Sequence, residues 1–415
     1  MAEVFEAEIA VVGAGPAGVA AATRAARLGA SVVVLDEGFS PGGQIWKGRR
    51  NGRLRRFAGS GARVVTGVSV VAAEAGFLLA ERIDTPGQTV EVRAPVLVVA
   101  TGARERYLPF PGWTLPNIMG IGGIQSMLKS GASFRGKRVV VAGSGPLLLP
   151  AAASLAASGA RVEVVAEQAP PEAVRRFALG LLRHPGKLAQ AIALRARFLR
   201  TAYRPGTWVT QARGDDRVRE VELTDGTRSW TATCDILATG YGLVPNTELA
   251  SLLGCDVVAG RVVVDDRQRT SIPEVFCAGE PTGIAGVEAA LVEGEIAGAS
   301  AAGRPELARS LALRRVRLAA WGESIERAFE LRPELRSLAR PETIVCRCED
   351  VPLSRLDPSR GVREGKLYAR AGMGPCQGRV CGPALEFLFG WQSDSVRPPL
   401  RPATMGALAQ GGDSK

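Results

Sequence analysis

Continuous apolar runs that alternate with small-residue stretches set the pattern of this chain. The first run, Ile9 to Val12, contains no polar position, which is typical of a parallel strand buried on both faces. Three glycines, an alanine-rich stretch and a second apolar run from Val32 to Leu35 follow it. This order predicts a strand–helix–strand unit near the start of the chain.

The glycines after the first strand have the spacing of a phosphate-binding turn. Gly13 suits a tight turn, Gly15 lets the backbone approach a pyrophosphate, and Gly18 lets helix and strand pack closely. Free N–H groups and the dipole at the helix N-terminus favour the phosphate charge. Asp36, 23 positions after Gly13, is placed to bond a ribose 2′-hydroxyl. Because strand, helix, second strand and acid all accompany the glycines, the stretch predicts a dinucleotide site.

The same pattern returns between Lys137 and Glu167 as an internal repeat. It differs at Leu148, which occupies the position of Gly18 and should push the helix from the strand and narrow the phosphate site. Glu167 at the end of the second strand argues against the 2′-phosphate of NADP. Binding of a nicotinamide dinucleotide and an inherited scaffold without a ligand both stay open, and Leu148 favours the scaffold.

Further apolar runs and loops complete the predicted elements. Strands are expected within residues 62–73, 89–93, 94–105, 218–223, 234–246 and 261–266. Residues 171–200 are helical by period, and a small-residue helix is expected over 285–302, where its N-terminus could stabilise negative charge on a ring carbonyl. The segment 109–123 holds three prolines and four glycines and is interpreted as a linker or a domain crossover.

Composition excludes several classes of protein. The net charge of +11 comes almost entirely from scattered arginines without interleaved aromatic residues, so an acidic partner protein fits it better than nucleic acid. No run reaches the roughly 18 apolar residues of a membrane span, and the acidic N-terminus lacks a secretion signal. With a single histidine, His184, interpreted as a surface residue, histidine-based metal sites and catalytic triads are nearly excluded.

Four of the seven cysteines form a second candidate site. Cys346 and Cys348 are followed after 27 residues by Cys376 and Cys381, whereas Cys234, Cys255 and Cys277 lie elsewhere. Two close thiolate pairs suit a [2Fe–2S] cluster or a tetrahedral structural zinc ion, and the spacing matches neither common ferredoxin patterns nor zinc ribbons. The glycine-rich loop around Cys376 could turn backbone N–H groups onto the sulfurs. Both metals, and a role without any metal, stay open on these grounds.

Taken together, the motifs resemble a known family. Gly13 to Gly18, Pro41 to Gln44, Ala100 to Ala103 and Ala278 to Glu280 are similar to the FAD signatures of flavoproteins with two dinucleotide domains and a thioredoxin-reductase-like fold. The stretch ATGARERYLPFPGWTLPNIMG resembles the FAD-binding subunit of opine oxidase, D-hydroxyproline dehydrogenase and hydrogen cyanide synthase. The cysteine region resembles a bacterioferritin-associated-ferredoxin-like domain, which favours [2Fe–2S]. Departures are Leu148, a short region from Lys47 to Gly61, and Glu280 where the family carries aspartate.

The resemblance implies an α/β fold of two Rossmann-like dinucleotide-binding domains, one inserted in the other, with a small helical [2Fe–2S] domain. The expected domains are 1–106 with 247–302 (FAD), 107–246 (second nucleotide domain), 303–340 (helical linker), 341–394 (cluster) and 395–415 (proline-rich tail, unable to form a core element). The expected FAD contacts are Gly13, Gly15, Pro16, Ala17, Gly18, Asp36, Glu37, Gly43, Gln44, Thr101, Gly102, Ala103, Gly279 and Glu280. The expected cluster ligands are Cys346, Cys348, Cys376 and Cys381.

By the same resemblance, the chain is an electron-transfer subunit of a cytoplasmic amino- or imino-acid dehydrogenase or oxidase, with a place at the inner face of the membrane as a further option. The expected partners are a small ferredoxin-like subunit plus an amino-acid-oxidase-like flavoprotein subunit, with an FMN at the interface as an additional cofactor. No catalytic residue is predicted in this chain, and it contains no redox Cys-x-x-Cys pair. The alternatives are a self-contained NAD(P)H-dependent flavin reductase and a redox-sensing interaction protein.

Overall fold

The structure, a computed structural model, describes residues 3–49, 51–198, 201–393 and 395–410. The described residues leave out parts of the segments predicted above, namely residues 1–2, 50, 199–200, 394 and 411–415. The chain divides into two compact units: one takes the described residues of 1–104, 244–323 and 394–415, and the other those of 105–243 and 324–393.

The first unit is built on a five-stranded parallel sheet whose central strand, Ile9–Val12, is a continuous apolar run. Across the sheet its strands are Val275–Cys277, Val96–Val99, Ile9–Val12, Val32–Asp36 and Arg63–Thr66. A four-stranded sheet contains Glu3–Glu6, Thr89–Arg93, Phe77–Arg82 and Val68–Glu74, and Val257–Val258 pairs with Arg261–Val262. The helices are Pro16–Arg27, Gly43–Trp46, Gly52–Ala58, Glu248–Leu252, Val287–Ala301 and Met405–Gln410, with 3-10 turns Glu280–Thr282 and Pro305–Leu311.

The second unit repeats this design. Its parallel sheet contains Ile118–Gly120, Ile236–Gly240, Arg138–Gly143, Arg161–Glu167 and Ala202–Pro205, in that order, and an antiparallel sheet contains Trp208–Arg213, Glu220–Thr224 and Ser229–Thr233. Its helices are Ile121–Lys129, Leu148–Ala157, Pro171–Gly180, Pro185–Ala196, Val362–Ala369 and Cys381–Phe389. Short elements are the strand pair Ile344–Cys346 and Val351–Pro352 and the 3-10 turns Leu181–Arg183, Pro333–Ser337 and Leu353–Arg355. Three elements contain a boundary between the two units in the sequence. They are helix Ala312–Ala328 and the paired strands Ala103–Glu105 and Leu243–Pro245.

The predicted α/β class with two Rossmann-like units is confirmed by these two parallel sheets and their helices. In both units apolar clusters lie on each face of the central sheet, so the strands are buried on both sides. No described helix is long and apolar enough to cross a bilayer.

Residues 109–123 belong to the second unit, so the linker interpretation is wrong and the crossover between the units lies before them. Ile118–Gly120 is an edge strand of the second parallel sheet, and helix Ile121–Lys129 begins directly after it. Phe110 and Trp113, upstream of the strand, are 1% and 5% exposed. The prolines and glycines shape the turns of this segment, but its large apolar side chains belong to the core.

The expectation that the tail cannot form a core element is also wrong. Leu400 is 6% exposed and packs in the core of the first unit, and its N–H donates to the Val71 carbonyl at 2.8 Å. The Thr404 hydroxyl donates to Glu81, and helix Met405–Gln410 follows with Ala407 buried. A few well-placed apolar and polar side chains are therefore enough to fix this short, proline-rich segment.

Candidate functional site

The first glycine turn is shaped by the absence of side chains. Gly13 has φ +104°, and a β-carbon on it would lie 2.2 Å from the Ala100 carbonyl oxygen. A β-carbon on Gly18 would lie 1.7 Å from the Gly13 carbonyl oxygen, so helix and turn are in backbone contact. Gly15, the N-cap of helix Pro16–Arg27, has open space where its side chain would be. The first N–H groups of this helix therefore face a cradle that an anionic phosphate can enter.

Asp36 holds the turn from the end of the second strand. Its carboxylate accepts hydrogen bonds from the N–H groups of Ala14 and Gly38, the second at 2.8 Å. Burial raises the pKa of Asp36, although these two N–H groups oppose that shift. The next acid, Glu37, is exposed and accepts hydrogen bonds from Ser69 and Arg401. Asp36 is thus half-buried and adjacent to the turn, as a ribose-binding acid should be.

The loop that contains Gly43 and Gln44 packs directly on this turn. The Gly42 N–H donates to the Ala14 carbonyl at 2.8 Å, and a β-carbon on Gly43 would lie 3.0 Å from the Gly15 Cα. Gln44 lies in the short helix Gly43–Trp46. The loop that contains Gly43 and Gln44 therefore lies at the edge of the phosphate cradle.

Thr101, Gly102 and Ala103 follow the buried strand Val96–Val99 and are held by a residue that sequence reasoning missed. The Asn246 side-chain amide donates to the Thr101 carbonyl at 2.9 Å, and the Thr101 hydroxyl donates to the Asn246 carbonyl at 2.6 Å. Arg104 also donates to the Asn246 side chain. The only signal of Asn246 in the sequence is its position at the end of the predicted strand stretch 234–246, where the chain returns to the first unit.

Gly279 and Glu280 close the same site from the last strand of the sheet. A β-carbon on Gly279 would lie 2.8 Å from the Ala17 Cβ, and one on Gly102 would lie 3.9 Å from Glu280 Oε2. Burial raises the pKa of Glu280. The structure therefore brings all four predicted FAD segments together around the N-terminus of helix Pro16–Arg27.

Glu293, also missed by sequence reasoning, supports the Gly279 turn. It is 8% exposed and accepts hydrogen bonds from the Gly279 N–H at 2.8 Å and the Thr282 hydroxyl at 3.1 Å. Burial raises the pKa of its carboxyl to about 7. A polar residue within a small-residue helix was its only signal in the sequence.

The four late cysteines lie in contact with one another in the second unit. Cys346 Sγ is 3.9 Å from Cys348 Sγ, which is 3.6 Å from Cys376 Sγ. The Cys381 thiol hydrogen-bonds Cys346 and, with the Gly372 N–H at 3.4 Å, lowers the pKa of Cys346 to about 5. Four sulfurs around one metal ion at about 2.3 Å would lie about 3.8 Å apart, which is close to the two separations between these thiols.

The printed contacts run from Cys381 through Cys346 and Cys348 to Cys376, and these four cysteines are here called the row of thiols. Within the described ranges, no group of three or more His, Cys, Asp or Glu side chains is arranged to hold a metal ion. A row of two pairs fits the chemistry of a two-iron centre, in which each iron takes two thiolates. The remaining cysteines, 234, 255 and 277, are buried, and burial raises the pKa of each.

A cavity of about 400 Å³ opens beside these thiols. Its lining residues are Tyr107, Trp113, Cys346, Arg347, Cys348, Cys376, Val380 and Cys381. Burial raises the pKa of Tyr107 to about 12, and Glu105, its partner, accepts the Gly122 N–H at 2.6 Å. Neither residue was singled out from the sequence, although both lie in the stretch that carried the family resemblance.

Comparison with known proteins identifies the family. Residues 7–304 match the family described as pyridine nucleotide-disulphide oxidoreductase, a match that covers the first glycine turn and the Gly279 turn. The chain belongs to this family. Membership indicates an oxidoreductase that binds FAD, and the geometry around Gly15 and Gly43 fits that cofactor.

The resemblance to subunits of opine oxidase and hydrogen cyanide synthase is confirmed. The chain is 33% identical to hydrogen cyanide synthase subunit HcnB of Pseudomonas aeruginosa, over 93% of this chain and 92% of that one. It is 32% identical to an opine oxidase subunit of Rhizobium meliloti, over 96% and 97% of the two chains. The solved structure of L-proline dehydrogenase from P. horikoshii has a similar fold, with a TM-score of 0.66, 19% identity and coverage of 98% and 80%.

The cysteine region lies beyond the part of the chain that the family description matches, which ends at residue 304. The two full-length relatives, in contrast, align over more than nine-tenths of this chain. The chain is thus a member of the oxidoreductase family that carries an additional thiol-rich region.

Proposed function

We propose that this chain is the FAD- and [2Fe–2S]-binding electron-transfer subunit of an amino- or imino-acid dehydrogenase or oxidase that is built from several subunits. The observation that carries the proposal is the row of four thiols in a chain whose first unit has an FAD cradle. Because the chain has no Cys-x-x-Cys pair, it lacks the dithiol through which a thioredoxin reductase passes its electrons.

The residues of this chain have distinct parts in that function. Gly13, Gly15 and Gly18 admit the pyrophosphate, and Asp36 and Glu280 offer carboxylates to the ribose and ribityl hydroxyls. Cys346, Cys348, Cys376 and Cys381 would hold the cluster, with residues 341–394 as its domain, and the Gly372 N–H stabilises charge on Cys346. When bound, FAD accepts electron pairs and a [2Fe–2S] cluster passes single electrons.

Substrate oxidation belongs to a partner chain in this proposal. Two relatives are named as subunits, of an opine oxidase and of hydrogen cyanide synthase, so the substrate class is a proline, hydroxyproline, opine or glycine-like compound oxidised at C–N. The partners are a small ferredoxin-like subunit plus an amino-acid-oxidase-like flavoprotein subunit, with an FMN at an interface. We place the complex in the cytoplasm, with the inner face of the membrane as a further option.

Metal analysis of purified full-length protein tests the cluster. We expect about two iron atoms per chain and an EPR signal on reduction. Cys348→Ser should lose most of the iron, whereas Cys255→Ser, a matched control at a buried cysteine outside the row, should keep it. Tightly bound zinc without iron would contradict the proposal.

A further inference from the structure

The second glycine turn is covered by residues 329–335 of the same chain, here called the covering segment. We propose that the covering segment takes the place of a dinucleotide in the second repeat and determines that this chain does not accept NAD(P)H. It lies in the second unit, together with the turn that it covers. This inference concerns the second repeat only and does not depend on the cluster or on a partner subunit.

Three hydrogen bonds attach the backbone of the covering segment to the repeat. The Ser144 hydroxyl, inside the glycine turn, donates to the Phe329 carbonyl at 2.7 Å. The Gln168 side-chain amide donates to the Glu330 carbonyl at 3.0 Å and accepts from the Arg332 N–H at 3.1 Å. Gln168 also donates to the Ser144 hydroxyl at 2.8 Å. The polar groups that border a dinucleotide site are thus already bonded within the chain.

The two repeats differ sharply in access to the acid that would bind a ribose. In the first repeat Asp36 is half-buried, and the two following residues are exposed. In the second repeat Glu167 and Gln168 are 0% exposed, and so is Ala169. Glu167 accepts the N–H groups of Gly145 at 2.8 Å and Ala169 at 2.9 Å. Since a dinucleotide needs this carboxylate for its ribose, the second repeat cannot offer it without moving the covering segment.

Side chains anchor the covering segment on both sides of the turn. Phe329 packs edge-to-face on Phe177 with ring centroids 5.1 Å apart, and its Cβ lies 4.0 Å from where a β-carbon on Gly145 would be. The Arg332 guanidinium lies 4.2 Å from the centre of the Trp208 ring. Leu335, 1% exposed, packs with Leu108, Trp208 and Tyr241. The anchors are apolar as well as polar, so the segment is part of the folded unit.

The position at which the helix of the second repeat begins also disfavours dinucleotide binding there. In the first repeat the helix begins at Pro16, three positions after Gly13, whereas in the second it begins at Leu148, five positions after Gly143. Leu148 itself is 1% exposed. The second helix therefore begins later after its turn in the sequence, and Phe329 of the covering segment lies beside Gly145, at the position that Gly15 leaves open in the first repeat.

Hydrogen exchange of the FAD-loaded full-length protein tests the inference directly. We expect slow exchange at residues 329–332, and no change there, at 143–148 or at 167–169 when NADH or ADP-ribose is added at about 1 mM, a concentration that saturates most nicotinamide enzymes. Rapid exchange in the covering segment, nucleotide-induced protection of the second turn, or bleaching of the flavin by NADH would each overturn it.

A variant that releases the segment gives an independent test. Gln168→Ala combined with Phe329→Gly should increase the affinity for ADP-ribose at least tenfold by calorimetry, whereas Ser337→Ala, a control whose hydroxyl donates to the Glu334 carbonyl, should not. If the double variant keeps its FAD and its fold but still does not bind, the segment is not the excluding element. If the double variant fails to fold, hydrogen exchange of the unaltered protein decides alone.

Discussion

The two repeats differ at Gly18, where a side chain has no room, whereas the equivalent residue in the second repeat is Leu148. A β-carbon on Gly18 would lie 1.7 Å from the Gly13 carbonyl oxygen. We therefore expect Gly18→Leu to displace the helix and to lower FAD content more than tenfold. Gly52→Ala, at a glycine with open space around it, should leave FAD content unchanged. Absorbance at the flavin band relative to protein measures both, and full FAD occupancy in Gly18→Leu would contradict this account of the cradle.

Glu293 makes stability depend on pH in a predictable direction. Burial raises the pKa of its carboxyl from 4.5 to about 7, so the folded state holds a proton that the unfolded state has lost. Stability contributed by this group is present below pH 4.5 and is lost as the pH rises to about 7.

Glu293→Gln keeps an acceptor for the Gly279 N–H and removes the titration. We expect the variant to gain stability relative to the natural protein between pH 5 and 7, by about 2–3 kcal/mol at the upper end. Denaturant unfolding at several pH values measures this difference. A difference that does not change with pH would show that Glu293 is ionised in the folded protein.

At the scale of elements, the tail Val396–Gln410 is a structural part of the first unit. Leu400→Ala should destabilise this unit by about 2–3 kcal/mol, because it removes a buried side chain from a packed core. Met405→Ala, in the same tail but 81% exposed, should cost less than about 0.5 kcal/mol. Urea unfolding monitored by flavin fluorescence compares the two, and equal effects would show that the tail does not pack as described.

The glycine-rich loop of the cysteine region has one position where a β-carbon cannot fit. A side chain on Gly374 would lie 2.5 Å from Cys348 Sγ, whereas one on Gly382, beside Cys381, would meet nothing within 4 Å. If these thiols hold the proposed cluster, Gly374→Ala should lower iron content several-fold and Gly382→Ala should not. Iron retained equally by both variants would argue that Cys348 is not a ligand.

For the whole molecule, local patterns predicted the central strands of the two parallel sheets and the first turn. The spacing of Gly13, Gly15 and Gly18 works through neighbours within one strand–helix unit, so a sequence pattern can contain it. Asn246, the covering segment and the tail act across large separations: 164 positions for Gln168 with Arg332 and 323 for Glu81 with Thr404. Such contacts form only in the completed fold, so the Pro-rich and charged stretches of the sequence do not predict them.

The two units differ in the sites that they contain. The first unit has an open FAD cradle, and the second combines a covered nucleotide turn with a row of thiols. A chain of this kind would receive and pass electrons without a nicotinamide cofactor, and would depend on other subunits for substrate.

Isolation of the native complex from source cells, followed by anaerobic addition of amino-acid substrates with EPR detection, tests this claim most directly. We expect a second flavoprotein to co-purify, and one of proline, hydroxyproline, sarcosine, glycine or an opine to reduce both the flavin and a [2Fe–2S] centre. A chain that emerges alone, fully active and without an iron signal would contradict it.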